Sequence, residues 1–249
     1  MWIASRLSWP RFLAAVAGPR PNRLFFAGDL GQRIFQTPFS WKSVGVDIRG
    51  RSRTLTINYR TSHQIRSQAD RLLGPEVADV DGNVESRKGT ISVLNGPAPV
   101  IRSFPSEAAE CAAVATWLGE QRAQGVPAHE LAIFVRSEAQ LDRARAAAHQ
   151  AGLPAIVLDD RVESPGTATS IAVMHLAKGF EFRAVAVMAC DDEVVPLQAR
   201  VEAVADSADL EEVYNTERHL LYVACTRARD ALLVTGLDPA SEFLDDLRG

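Results

Sequence analysis

Apolar residues in this chain fall into two patterns: short unbroken blocks, and longer stretches in which they recur every three or four positions. The blocks suit strands buried on both faces of a sheet, and the spaced stretches suit amphipathic helices. The pattern predicts a helix from Ser8 to Ala17, a break at Gly18-Pro19-Arg20-Pro21, and an apolar strand from Leu24 to Ala27 that ends in Gly28-Asp29. Residues 36–54, with Pro38, Gly45 and Gly50 among basic and aromatic side chains, read as a connector.

From Leu55 the alternation is regular. Leu55 to Tyr59 is a predicted strand and Ser62 to Leu73 a helix, with Ser62 as N-cap and Gly74-Pro75 as stop. Residues 75–99 are rich in Gly, Asp and Pro, with a short strand at Ile91 to Leu94. A helix near Ser106 to Arg122 places Cys111, Val114, Ala115 and Leu118 on one face. Leu131 to Val135 is a strand, Glu138 to Ala151 a helix, and Ala155 to Leu158, Ile171 to Met174 and Ala184 to Ala189 are further strands. A helix from Leu210 to Cys225 then leads to a last strand, Ala231 to Thr235, and the acidic stretch Glu202 to Glu212 before it reads as a loop. Short apolar strands alternating with helices imply an α/β fold: a parallel sheet with helices on both faces.

Composition narrows the function classes. With 249 residues, 47% of them hydrophobic, the chain can bury a sizeable core. Cys111, Cys190 and Cys225 are odd in number, far apart and set among Ala and Val, which suits buried thiols rather than a disulfide framework or a metal site. The opening residues are too short and polar for a signal peptide, and no apolar run reaches the ~20 residues that span a bilayer. A cytoplasmic protein without a membrane partner is expected. The net charge of −4 is unevenly spread: residues 1–71 carry 12 Arg and Lys against 3 Asp. Such a basic segment can supply phosphate contacts within an acidic protein, although a merely solvated arginine-rich surface explains the charge as well.

Four polar blocks follow predicted strands or helices: Gly28-Asp-Leu-Gly-Gln32-Arg-Ile-Phe35, Asn58-Tyr59-Arg60-Thr-Ser62, His175-Leu-Ala-Lys178-Gly179-Phe-Glu181-Phe182, and Leu221-Tyr-Val-Ala-Cys-Thr226-Arg227-Ala228. Arg60 stands just past a strand, where it would project from the edge at which open sheets bind ligands. Arg227 stands near a helix end, where a basic residue also complements the dipole. Both have the planar, permanently charged fork that grips phosphate oxygens. The third block lies between two apolar strands and is expected to form one exposed turn. In it Gly179 permits close backbone approach, Glu181 can accept from a ribose hydroxyl, and His175 and Lys178 can reach phosphate. Gln32 can position a water or sense a phosphate; ordinary solvation is its plainer role.

Taken in order, the four blocks resemble motifs III, IV, V and VI of the UvrD/Rep-type superfamily 1 DNA helicases. The phosphate-cradling G-x-x-x-x-G-K-[ST] pattern and an apolar strand ending in Asp-Glu do not occur. The resemblance is to the C-terminal part of such a motor, the second RecA-like lobe. It implies that residues 1–50 are a remnant of the first lobe, and that 51–249 form the second lobe without the large accessory insertion. It assigns Gln32, Arg60 and Arg227 to the γ-phosphate, Tyr59 to adenine, and Gly179 and Glu181 to the ribose side. His175, with Lys178, is assigned to single-stranded DNA. Thr37-Pro38-Phe39 stands where the family places a base-stacking Trp-Arg-Gly, so Phe39 or Trp41 would have to supply the stacking face.

The implied activity is ATP-driven 3′-to-5′ movement on single-stranded DNA. ATP and Mg²⁺ would be bound only together with a P-loop-bearing first lobe, in cis or in trans, and by this chain alone not at all. The alternative is a degenerate lobe kept as a DNA- or protein-binding module.

Overall fold

The computed structural model describes residues 8–18, 24–25, 53, 55–74, 76–78, 84–86, 89–159 and 166–249. Helix α1 (Ser8–Ala17) coincides with the first predicted helix. Leu24 and Phe25 are not in a strand, and the rest of the strand expected there lies outside the described residues. So do the whole first block, with Gln32, and the connector residues Phe39 and Trp41.

Strand β1 (Ile57–Asn58) is followed by α2 (His63–Ala69), the antiparallel hairpin β2 (Glu76–Ala78) and β3 (Val84–Ser86), and β4 (Ile91–Ser92). Next come β5 (Val100–Phe104), α3 (Glu107–Ala123), β6 (Leu131–Val135), α4 (Leu141–Gln150) and β7 (Ala155–Val157). The chain continues through β8 (Thr169–Val173), β9 (Phe182–Val187), α5 (Gln198–Glu202), α6 (Ser207–Cys225), β10 (Ala228–Leu237) and α7 (Glu242–Arg248). Six strands form one sheet in the order β5-β10-β9-β6-β8-β7, with every neighbouring pair parallel.

Alternation within the strands divides the core into two layers. Leu131, Ile133, Val135, Ile171, Ala184, Ala186 and Leu233 pack with Val114 and Leu118 of α3 and with Ala144, Ala147 and Ala148 of α4. The intervening Ala132, Phe134, Ala172, Val185, Val187, Leu232 and Val234 pack with Ile65 of α2, Leu220 and Leu221 of α6, and Phe243 and Leu247 of α7. Both faces are thus helix-covered, which is why these strands read as continuous apolar runs. Side chains cap the helices: Ser62 accepts from the Ile65 amide, Ser106 from Ala109, and Asp206 from Ala208 and Asp209. The Asp206 cap starts α6 at Ser207, so much of the acidic stretch expected to be a loop is helix.

The segment Leu55 to Tyr59 corrects its prediction. Only Ile57 and Asn58 are in a strand, and they pair in parallel with Ile91 and Ser92 as a separate two-stranded ribbon. Among the described residues none buries its outer face, on which Leu55, Ile57 and Tyr59 are exposed. The edge strand β5 was not anticipated, because Arg102 and Ser103 interrupt its apolar pattern; its burial alternates, as an edge allows. Among the described residues no helix is long and apolar enough to cross a membrane.

Candidate functional site

Three of the four blocks meet at the edge of the sheet where β9 and β10 begin. Arg60 donates from a terminal guanidinium nitrogen to the Phe180 carbonyl at 2.5 Å, and its Nε lies 3.0 Å from Glu181 Oε2. Arg227 donates to the same Phe180 carbonyl at 3.3 Å and, through Nε, to the Val223 carbonyl one helical turn back at 3.1 Å. The backbone ties the blocks together as well. Thr61 Oγ1 donates to the Thr226 carbonyl at 3.4 Å, the Ser62 amide to Arg229 at 3.0 Å, and the Phe182 amide to Arg227 at 3.0 Å. Residues 120 and 47 positions away from Phe180 thus converge on one carbonyl oxygen.

The local chemistry explains the arrangement. Asn58 turns the chain out of β1 by accepting the Arg60 amide through Oδ1 at 2.8 Å. Gly179 has φ +99°, a backbone that side chains rarely adopt, and it sets the Phe180 carbonyl toward the two arginines. Arg227 follows the cap of α6 and is only 1% exposed, with backbone carbonyls among its acceptors. Arg60 and Glu181 are half-buried and exposed, respectively, and Tyr59 beside them is 70% exposed. A second ion pair flanks the cluster: Arg183 Nε lies 2.8 Å from Asp230, to which Arg229 also donates at 2.8 Å. The bond from Arg229, helped by Arg183, holds the Asp230 carboxyl below its usual range despite partial burial.

Two expectations need correction. Arg60 was expected at the ligand-binding carboxyl edge; it stands at the carboxyl end of the β1 ribbon but at the amino edge of the main sheet, where β9 and β10 start. The third block was expected to be one exposed turn. It is a crossover instead, because parallel β8 and β9 must be joined end to start, with β6 between them. His175 lies in a short helical turn at the carboxyl end of β8, whereas Glu181 immediately precedes the start of β9. The structure therefore brings Arg60, Glu181 and Arg227 together, with Gly179 and Tyr59 adjoining in the chain, and separates His175 from them. Lys178 is exposed between the two groups.

Sequence reasoning missed two buried charge clusters at the carboxyl edge. Arg136, directly after β6, makes two 2.5 Å bonds to Glu217 of α6, which Arg200 also meets at 2.9 Å. Arg143 of α4 pairs with Glu110 of α3 and, at 2.6 Å, with Asp191 beyond β9. A charge at the end of an all-apolar strand was the available signal. Among the described residues no group of three or more His, Cys, Asp or Glu is placed to hold a metal ion.

Comparison with known proteins bears on two of the four blocks. Residues 158–238 match the UvrD-like helicase C-terminal domain, a stretch that holds the third and fourth blocks. The fold is similar to that of a solved C-terminal domain of a possible DNA helicase from Lactobacillus plantarum WCFS1. The TM-score is 0.51 at 21% identity, over 76% of this chain and 94% of that one. No curated protein matches the chain. The six-stranded parallel sheet with helices on both faces thus shares its α/β fold with that solved domain, and residues 158–238 are similar in sequence to the UvrD-like helicase C-terminal domain.

Proposed function

We propose that this chain is the second motor lobe of a UvrD-type helicase or translocase that moves 3′-to-5′ on single-stranded DNA. In this reading it closes on ATP held by a P-loop-bearing first lobe. The observation that carries the reading is the meeting of Arg60 and Arg227 at the Phe180 carbonyl. A phosphate oxygen is an acceptor of the same kind with more negative charge, so it competes for both guanidinium forks. Tyr59, exposed beside them, offers a ring face to adenine. Glu181 offers an acceptor to a ribose hydroxyl. The first lobe would supply the phosphate-cradling loop and the magnesium carboxylates, with Gln32 as a third phosphate contact. His175 and Lys178, with Phe39 or Trp41 as stacking faces, would meet the DNA strand.

The test is ATP hydrolysis, with single-stranded DNA present, by the full chain alone and mixed with the first lobe of a related helicase. Activity is expected only in the mixture. Arg60→Ala or Arg227→Ala should lower it by roughly 10³-fold or more, the scale for an arginine at a transferring γ-phosphate. Lobes that associate, as shown by sedimentation, yet stay inactive would refute the reading. One observation favours a second reading: Arg227 is 1% exposed and bound to its own helix, as a purely structural arginine would be. A non-catalytic DNA- or protein-binding lobe would then remain, and Arg227→Ala would cost stability rather than hydrolysis.

A further inference from the structure

Helix α6 begins before the core beneath it does. Leu210, Val213, Glu217 and Leu220 follow one another along one side of it at three- and four-residue spacing. Val213, Glu217 and Leu220 are buried, whereas Leu210 is only half-buried. Val201 of α5 and Val204 just after it are half-buried as well. With Ala205 they and Leu210 line an apolar groove of about 380 Å³ between α5 and the start of α6, and Asp206 and Ser207 complete its lining.

The groove is formed before any ligand arrives. Glu217 accepts from Arg200 of α5 at 2.9 Å and from the Leu197 amide at 3.3 Å, so one buried carboxylate ties α5 to α6. A surface held in this way loses less freedom on binding than one that must first be ordered. The volume suits the anchoring side chains of a peptide rather than a whole helix.

The charge around the groove selects the ligand. Residues 191–212 carry eight Asp and Glu against one basic residue, Arg200, which is already paired with Glu217. Glu202, Asp206, Asp209, Glu211 and Glu212 are all exposed, beside or among the lining residues. Carboxylates this dense repel phosphate chains and nucleic acid. Among the described residues no three acids gather to hold a metal ion. What fits is positive charge on an apolar frame. We propose that the α5–α6 groove is a docking surface for a basic helical segment of a partner protein, with apolar residues every three or four positions among Lys and Arg. The apolar stripe enters between Val201, Val204 and Leu210, and the cations meet the carboxylates at the rim. This surface does not depend on the motor reading above.

The test uses the full chain and a fluorescein-labelled peptide of about 14 residues, built of Ala and Lys with leucines at helical spacing, read by anisotropy. Saturable binding is expected, about tenfold weaker with serine in place of leucine and about tenfold weaker again with glutamate in place of lysine. Val204→Asp adds a negative charge but removes an apolar wall, so it should weaken binding about tenfold. Attraction to charge alone predicts the opposite. Glu202→Lys with Asp209→Lys, both at exposed positions, should also weaken binding about tenfold. Glu120→Lys with Asp142→Lys, on helices α3 and α4 of the opposite sheet face, should change it by less than about twofold.

Absence of saturable binding would overturn the proposal. So would binding that Val204→Asp leaves unchanged or tightens, or an equal loss from the reversals on α3 and α4, either of which assigns the peptide to the overall negative charge. Sedimentation of the chain alone separates a second copy as occupant: a dimer dissolved by Val204→Asp would overturn the assignment to a partner protein. None of these outcomes bears on hydrolysis by the mixed lobes, so the docking surface and the motor reading fail separately.

Discussion

Replacing Glu217 with alanine should cost this chain about 4 kcal/mol, most of it from the partner left behind. Glu217 is 0% exposed and Arg136 is 5% exposed. The two meet side by side, Nε to Oε2 and a terminal nitrogen to Oε1, both at 2.5 Å. Glu217 also accepts from Arg200 at 2.9 Å and from the Leu197 amide at 3.3 Å. Without the carboxylate, the Arg136 cation stays in an apolar setting with no counter-charge, which costs about 3–5 kcal/mol for a buried pair broken on one side. The Arg200 side chain is about one-third exposed, at 32%, and can turn to water, so its loss adds less than ~1 kcal/mol.

The assay is equilibrium unfolding of the full chain in urea, followed by circular dichroism. With a slope of about 2 kcal/mol per molar, a loss of ~4 kcal/mol moves the midpoint down by about 2 M. The double variant Arg136→Met with Glu217→Leu separates an unpaired charge from a lost bond. Replacing both partners by apolar groups of similar size should leave stability within about 1 kcal/mol of the starting protein. A Glu217→Ala cost below about 1 kcal/mol, or a double variant as unstable as the single one, would refute the reasoning.

Gly179→Ala should cost about 1–2 kcal/mol in the same assay. No atom lies within 4 Å of the added methyl, so the penalty is that of the backbone alone, at φ +99°. Gly236→Ala should cost more, because its methyl would fall on the Cys190 carbonyl, a backbone atom that cannot step aside. Asp230 has a folded pKa below its ordinary 3.8, with its bond from Arg229 as the largest cause. Its increment of stability is therefore complete above that value and is lost as pH falls through the lower folded one. Asp230→Asn should flatten the stability profile in that acid range by less than ~1 kcal/mol, since the pair is partly solvated. Burial pushes the Cys225 thiol up to about 12 and raises Cys190 and Cys111 as well. A thiol reagent at neutral pH should label none of the three rapidly in the native chain, and labelling that outpaces unfolding would contradict their burial.

The fold was legible where one face of each element decides its pattern. Leu131 to Val135 has no polar residue because helices cover both sides of β6, and the Ser106 and Ser62 caps announce helices whose buried faces follow at the expected spacing. Legibility failed where an element is half-solvated. β5 at the sheet edge carries Arg102 on its exposed face and the half-buried Ser103 on the other, which breaks the apolar run, and α7 is seven residues long, too short for periodicity to stand out. The Leu55–Tyr59 alternation looked like a core strand because a sequence pattern records which residues are apolar, not whether anything in the same chain covers them.

At the site, the sequence pattern did not carry strand direction. The resemblance assigned Arg60 and Arg227, with Gln32, to the γ-phosphate and Glu181, with Gly179, to the ribose side; Arg60, Arg227 and Glu181 meet around Phe180. His175 was grouped with Glu181 because six positions of chain separate them. In a parallel sheet, however, a link from the end of one strand to the start of a second must travel the strand's whole length, so its two ends belong to opposite edges. The third block is therefore not a single contact surface. Its first residue lies at the carboxyl edge, just beyond β8, and its last polar residue lies at the amino edge, beside Arg60. The eight residues between β8 and β9 thus connect the edge proposed for DNA to the edge proposed for the nucleotide, a connection set by sheet topology rather than by any one side chain.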